Sequence, residues 1–117
     1  MPAPIVYFEI GCKDTPKTSA FYSALLGWTM RPSGPVSYVD TGSKEGIQGH
    51  IASLGHPPHN YVVVYAQVDD IAASIAKAES LGGKKIVGPI EVPGQGTFAW
   101  ISDPEGTTFG LWKALVK

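Results

Sequence analysis

The fold of this protein follows from residues 5–27, IVYFEIGCKDTPKTSAFYSALLG, because the chain repeats their pattern at residues 61–83, YVVVYAQVDDIAASIAKAESLGG. Each stretch opens with β-branched and aromatic residues, which are typical of a strand. An acidic residue and an apolar stripe follow, and glycine ends each stretch, as it does in helices with a left-handed C-terminal cap. Aligning Asp14 with Asp70 matches both strands and both helices without a gap. The chain therefore contains two similar strand–helix segments.

The helix ends can be predicted from capping chemistry. Thr15 is the expected N-cap of the first helix, because its hydroxyl can accept a hydrogen bond from a free amide of the first turn. Pro16 suits the first helical position, where its missing N–H costs nothing. Asp69 or Asp70 is expected to cap the second helix. The apolar residues of the first helix form one stripe, which we expect to face the core: Phe21, Tyr22, Leu25 and Leu26.

Three short strands are predicted after each helix, at residues 28–31, 36–41 and 46–53, and again at 84–88, 97–102 and 107–113. One such unit has too little core to be stable alone. We therefore predict an α+β fold in which two βαβββ modules form a curved mixed sheet with a concave cavity. The modules, residues 1–55 and 60–117, are expected to make a single domain.

Composition excludes several classes of function. The net charge is −1 and no basic run is present, so nucleic acid is not an expected partner. No apolar stretch approaches the ~20 residues that span a bilayer, and the N-terminus lacks the features of a signal peptide. The lone Cys12 is expected to be a small buried hydrophobe, and a reactive thiol is the alternative. Because one cysteine cannot form an intrachain disulfide, we expect a cytoplasmic location. Open sheet edges favour a homodimer.

Four motifs cover nearly the whole chain in order: Asp14 with Phe21-Tyr22 and Leu26-Gly27-Trp28, then Val68-Asp69-Asp70-Ile71, then Leu81-Gly82-Gly83, then Asp103-Pro104-Glu105-Gly106 with Phe109-Gly110-Leu111-Trp112. This set resembles the vicinal oxygen chelate superfamily, which includes glyoxalase I, bleomycin-resistance proteins and extradiol dioxygenases. The resemblance implies a glyoxalase-like fold. Thr107 departs from the pattern, where the family often has asparagine. Asp103 and Glu105 are interpreted as turn formers rather than catalysts.

The resemblance also implies where a metal would bind. Metal-dependent members take ligands from four strand positions, which correspond here to Tyr7, His50, Val63 and Gly110. Only His50 is a usual ligand, and a register shift of two would put Gln48 in its place. We therefore expect neither metal nor cofactor. A second grouping, His50 with His56 and His59, has no carboxylate or cysteine at ligand spacing, so exposed loop histidines are the preferred interpretation.

Strand alternation predicts which side chains line the cavity. Polar groups come from Glu9, Gln48 and His50. Aromatic groups come from Tyr7, Tyr65, Phe98, Trp100 and Trp112. This composition suits a small, flat or partly apolar ligand that a few hydrogen bonds hold in place.

Two functions remain open from the residues. The first is a small-molecule-binding protein without the metal site of the superfamily. The second is a metal-independent, glyoxalase-like lyase or isomerase in which Glu9 is the general base and His50 or Tyr7 the acid. Glu9 could equally be a structural carboxylate that performs no chemistry.

Overall fold

A computed structural model describes residues 2–115. The first half of the chain contains β1 (Ile5–Gly11), α1 (Thr15–Leu26), β2 (Thr29–Ser33), β3 (Val36–Asp40) and β4 (Gln48–Ala52). The second half contains β5 (Tyr61–Gln67), α2 (Ile71–Ser80), β6 (Lys84–Val92), β7 (Gly96–Ser102) and β8 (Thr108–Ala114). This order confirms the predicted α+β class and the repeated strand–helix–three-strand pattern.

The described chain forms two compact units. Residues 7–63 make the first unit, and residues 2–6 with 64–115 make the second. The strand order of the first unit is β2-β3-β4-β1, with antiparallel neighbours except for the parallel pair β4–β1. The second unit repeats this arrangement as β6-β7-β8-β5, where β8 and β5 are parallel. Each unit is therefore a mixed sheet with the same topology.

Each unit has its own apolar cluster between sheet and helix. In the first unit the buried members are Ile10, Cys12, Val39 and Ile51, against which Phe8, Tyr22, Trp28 and Met30 pack. In the second they are Ile71, Ile75, Ala99 and Leu111, with Val68 and Ile101 packed against them. Cys12 is 4% exposed, in agreement with its interpretation as a buried hydrophobe. No helix among residues 2–115 is long and apolar enough to cross a membrane.

The caps of the two helices are aspartates. Asp14 accepts a hydrogen bond from the Lys17 amide at 3.0 Å, and Asp70 accepts one from the Ala73 amide at 3.0 Å. The prediction that Thr15 caps α1 is therefore wrong. Thr15 is the first helical residue, and its hydroxyl donates instead to the Pro35 carbonyl at 2.8 Å, a partner twenty residues away.

Three of the four residues in the apolar stripe of α1 do not face the core, which corrects a second prediction, and only Tyr22 packs against it. Phe21, Leu25 and Leu26 are 58%, 62% and 49% exposed, and the buried residues of the helix are Thr15 and Ser19. Small side chains on the inner face let the helix approach the sheet closely. The space beside them is filled by aromatic rings, of which Tyr22 stacks on Trp28 at 5.7 Å between ring centroids.

Candidate functional site

A row of four directly opposed residues crosses the sheet of the first unit. Arg31 on β2 lies opposite Tyr38 on β3, Tyr38 lies opposite His50 on β4, and His50 lies opposite Glu9 on β1. Directly opposed residues project to the same face of a sheet. This polar row, Arg31–Tyr38–His50–Glu9, therefore carries a guanidinium, a phenol, an imidazole and a carboxylate on one face. Core residues such as Ile51 occupy the other face.

Polar contacts hold the imidazole of the polar row at both nitrogens. The Tyr7 hydroxyl lies 2.8 Å from Nδ1 of His50, and Nε2 of His50 lies 3.3 Å from Oε1 of Glu9. The Tyr61 hydroxyl donates to Oε2 of Glu9. When Nε2–H of a neutral imidazole donates to the carboxylate, Nδ1 is left to accept from Tyr7. The result is a continuous chain Tyr61–Glu9–His50–Tyr7.

Burial differs along this hydrogen-bonded chain. Glu9 is 5% exposed, whereas the His50 side chain is 20% exposed and Tyr7 is half-buried. The tilted ring of Tyr7 lies 5.3 Å from the imidazole, and the Tyr38 ring meets the imidazole edge-on at 6.0 Å. A ligand can therefore reach Tyr7, Tyr38 and His50, while Glu9 lies behind them.

Strand alternation places Tyr61 on the same face of β5 as Tyr65, but it does not assign Tyr61 a role beside Glu9. The Tyr61 ring lies flat against Gly11, where an added Cβ would be 1.9 Å from ring atom Cε2. Glycine inside a strand often marks such a close approach, and this was the available signal. Because no other residue leaves room for the ring, Gly11 allows the Tyr61 hydroxyl to reach Glu9.

Both phenols of the chain favour their neutral form. Burial raises the pKa of Tyr7, with further increases from nearby Tyr38 and Glu9 and a partial decrease from the Arg31 charge. Burial also raises the pKa of Tyr61, and its hydrogen bond to Glu9 raises that pKa further. A protonated phenol can donate to a carboxylate or an imidazole, whereas a phenolate cannot. Tyr7 and Tyr61 are therefore available as donors at neutral pH.

These shifts predict a loss of stability at alkaline pH. The unfolded chain releases phenolic protons near a pKa of about 10, while the folded chain keeps those of Tyr7 and Tyr61, so the free energy of unfolding falls as pH rises above about 10. In a titration of the five tyrosines followed by tyrosinate absorbance, Tyr7 and Tyr61 should ionise late in the folded protein and normally in urea. Tyr7→Phe and Tyr61→Phe should each remove one late group. Ionisation of all five near a pKa of about 10 while the protein stays folded would contradict this assignment.

The remaining predicted site residues divide between the two units. Gln48 shares the face of Tyr7 and is exposed, and its Oε1 accepts from the Thr41 amide at 2.8 Å. The first unit thus brings together Tyr7, Glu9, Gln48 and His50. The second unit contains the four other aromatic residues: Tyr65, Phe98, Trp100 and Trp112.

The aromatic residues of the second unit pack on one another. Nε1 of Trp100 donates to the Tyr65 hydroxyl at 2.8 Å, and the Tyr65 and Phe98 rings meet edge to face at 6.2 Å. Phe98 lies directly opposite Trp112. Tyr65 and Trp100 are only 4% and 6% exposed, so much of their area stabilises this unit. Ligand contact by these aromatic residues stays a prediction.

The second unit has a row at the position equivalent to the polar row. Val87 lies opposite Trp100, Trp100 opposite Gly110, and Gly110 opposite Tyr65. The repeat aligns Glu9 with Tyr65 and His50 with Gly110. The second row carries neither a charge nor an imidazole. Of the two equivalent rows, only that of the first unit carries charged side chains.

The four positions that bind metal in the superfamily do not supply a fitting donor set here. Val63 is 2% exposed and has no donor atom. At Gly110 an added Cβ would lie 2.4 Å from the Tyr65 ring, so the ring occupies the space a ligand side chain would need. That leaves Tyr7 and His50, short of the roughly three protein donors of a catalytic metal site.

The alternative grouping of three histidines is not gathered in the structure either. Within residues 2–115, no group of three or more His, Cys, Asp or Glu side chains could hold an ion. His56 is exposed, and its Nδ1 lies 2.8 Å from the Pro57 carbonyl. This observation favours the interpretation of His56 as a loop histidine.

Comparison with known proteins gives the family. The family model described as a glyoxalase-like domain matches residues 6–112. The putative glyoxylase CFP32 of Mycobacterium tuberculosis is 33% identical over 98 residues, which cover 80% of this chain and 38% of CFP32. The anthracycline biosynthesis protein DnrV of Streptomyces peucetius is 27% identical, over 96% of this chain and 47% of DnrV. The chain thus spans less than half the length of these two relatives.

A solved structure shows the same fold. A glyoxalase/bleomycin resistance/dioxygenase superfamily member from Vibrio splendidus 12B01 superimposes with a TM-score of 0.64 at 16% identity, covering 96% of this chain and 99% of that one. At this identity the likeness concerns the fold alone. The family match, the repeated topology and the four motifs agree, and this chain belongs to the glyoxalase-like domain family.

Proposed function

We propose that this chain binds a small, partly apolar molecule on the face of the first unit that carries Tyr7, Tyr38 and His50, without a metal ion. The observation that supports this proposal is the chain Tyr61–Glu9–His50–Tyr7, which holds the imidazole in one orientation. A few oriented polar groups among aromatic rings are what small-molecule sites usually offer. Tyr7 and His50 would supply the hydrogen bonds, and the Tyr38 ring would contact the flat part of the ligand.

A metal-independent lyase or isomerase is the second candidate. The same row of contacts favours it, because His50 joins the buried carboxylate of Glu9 to the half-buried phenol of Tyr7. Through His50 and Tyr7, a proton could pass between Glu9 and a substrate. Direct base catalysis by Glu9 is less well supported, since this carboxylate is buried and both of its oxygens have partners. We therefore place binding first, with Glu9 orienting His50.

Two variants separate the two candidates. In the experiment, aromatic and electrophilic metabolites are screened for compounds that raise the melting temperature of the protein. Each such compound is then titrated into wild type, Glu9→Gln and His50→Ala. For a binding protein, His50→Ala should weaken affinity about tenfold, while Glu9→Gln keeps it within about threefold, because the amide can still hold the imidazole. For an enzyme, wild type should convert the compound, and Glu9→Gln should lower the rate by about 10²–10⁴ with binding retained.

The matched control is His56→Ala, which removes an exposed histidine of the connector. It should leave both affinity and turnover unchanged. Compounds whose affinity is unaffected by His50→Ala bind elsewhere, and if all of them behave in this way the proposed function is wrong.

A further inference from the structure

Among residues 2–115, Arg31 has no carboxylate as an ion-pair partner. Arg31 is the only arginine in the chain and lies on β2, the outer strand of the first unit. Its guanidinium carbon is 4.5 Å from the centroid of the Tyr38 ring. The side chain is exposed. Stacking on the ring orients the guanidinium but leaves its charge and its N–H groups available to a ligand.

Glu9 is too far along the polar row to neutralise this charge. Three strand spacings separate Arg31 from Glu9, roughly 14 Å at about 4.8 Å per spacing. The Glu9 carboxylate is moreover engaged by His50 and Tyr61. The row is therefore polarised, with an available cation at the outer end and a satisfied anion at the inner end.

The fold does not require an arginine at this position. In the second unit the equivalent row places Val87 opposite Trp100, just as Arg31 lies opposite Tyr38. A strand of the same topology thus forms with a neutral, shorter side chain. The sheet therefore does not need the guanidinium that lies over Tyr38, and we attribute its presence to the site.

We infer that the ligand of this site is a small organic anion, a carboxylate or a phosphate ester, and that Arg31 selects it. The inference rests on the function proposed above. Guanidinium pairs carboxylate and phosphate oxygens through two parallel hydrogen bonds, a geometry that a neutral group does not match. The anionic group would bind Arg31, and the flat body would lie on Tyr38. A polar group up to roughly 10 Å away would reach His50, which is two strand spacings from Arg31, and the Tyr7 hydroxyl bonded to it.

The test uses benzoate, phenyl phosphate and the neutral isostere benzamide, titrated into ¹⁵N-labelled protein while amide shifts are followed. Both anions, or one of them, should shift the amides around Tyr38 and His50 and bind at least fivefold more tightly than benzamide. Arg31→Gln should abolish that preference, and Arg31→Lys should keep part of it. Lys44→Gln, which removes one exposed charge in the β3–β4 loop, should leave it intact. The tighter anion identifies the class.

Because the chain has one arginine, an arginine-selective dicarbonyl reagent gives an independent measurement. Intact-mass measurement should show that the reagent adds to one residue. The anion that binds should slow this addition, whereas benzamide should not. Equal binding of anions and benzamide at the site, or equal losses in Arg31→Gln and Lys44→Gln, would overturn the role of Arg31 and leave the binding site standing. If none of the three probes shifts the amides around Tyr7, Tyr38 and His50, the proposed function fails as well.

Discussion

Replacing Gly11 with alanine is expected to lower the free energy of unfolding by about 3 kcal/mol, at the upper end of the usual cost of overpacking. The new methyl group would lie 1.9 Å from the Tyr61 ring, so the ring must move. Its movement would also break the hydrogen bond from Tyr61 to the buried carboxylate of Glu9. Backbone propensity alone predicts the opposite sign, since alanine in a strand is more stable than glycine by roughly 0.5–1 kcal/mol. Urea unfolding followed by circular dichroism measures the change.

The Tyr61→Ala background provides the control for this substitution. With the ring removed, Gly11→Ala should cost less than about 1 kcal/mol, and the difference between the two backgrounds is the coupling energy of the pair. An equal loss of unfolding free energy in both backgrounds would mean that the clash is with the backbone. That result would contradict the packing of the Tyr61 ring against Gly11. In the Gly11→Ala variant with Tyr61 present, the affinity for a ligand bound at His50 should also fall, because a displaced Tyr61 no longer holds Glu9.

Replacing Ile51 with alanine is expected to lower the free energy of unfolding by about 3 kcal/mol, within the roughly 2–5 kcal/mol seen for such truncations. Ile51 is 0% exposed and lies in the apolar cluster of the first unit, where its loss leaves a cavity that neighbours can fill only in part. Chemical denaturation of wild type and variant gives the change directly.

Leu25→Ala is the matched control for Ile51→Ala. Leu25 is 62% exposed, so its truncation should change stability by less than about 0.5 kcal/mol. The apolar stripe of α1 predicts that Leu25 faces the core, and the structure contradicts that prediction. A cost for Leu25→Ala as large as that for Ile51→Ala would mean that α1 packs through its apolar stripe after all.

The repeat explains how one half of the fold can specialise. Both units build the same strand order, and each has a row of four directly opposed residues at the same place. In the second unit this row is filled by aromatic and small residues, with Tyr65 packed over Gly110. In the first unit it carries Arg31, His50 and Glu9. The two units therefore differ in the chemistry of this row, which is neutral in the second and charged in the first.

Much of the fold could be predicted from the chain before its structure was known. The repeated pattern from strand to terminal glycine predicted β1, β5 and both helices, and the short runs between turns predicted the other six strands. The family resemblance is confirmed by the match over residues 6–112. Glu9 and His50 were expected on one face, and they are directly opposed there. Their roles in binding or catalysis, and the expected homodimer, stay predictions.

Local sequence is enough to determine the elements of this protein, because strand alternation, capping and glycine turns depend on residues only a few positions apart. The site depends on contacts between residues far apart in the chain. Tyr61 reaches Glu9 across 52 positions, and Tyr7 reaches His50 across 43. Thr15 failed as a cap because its hydroxyl found the distant Pro35 carbonyl. Such partners are chosen by sheet register and by the space left at Gly11, and both of these exist only once the chain has folded.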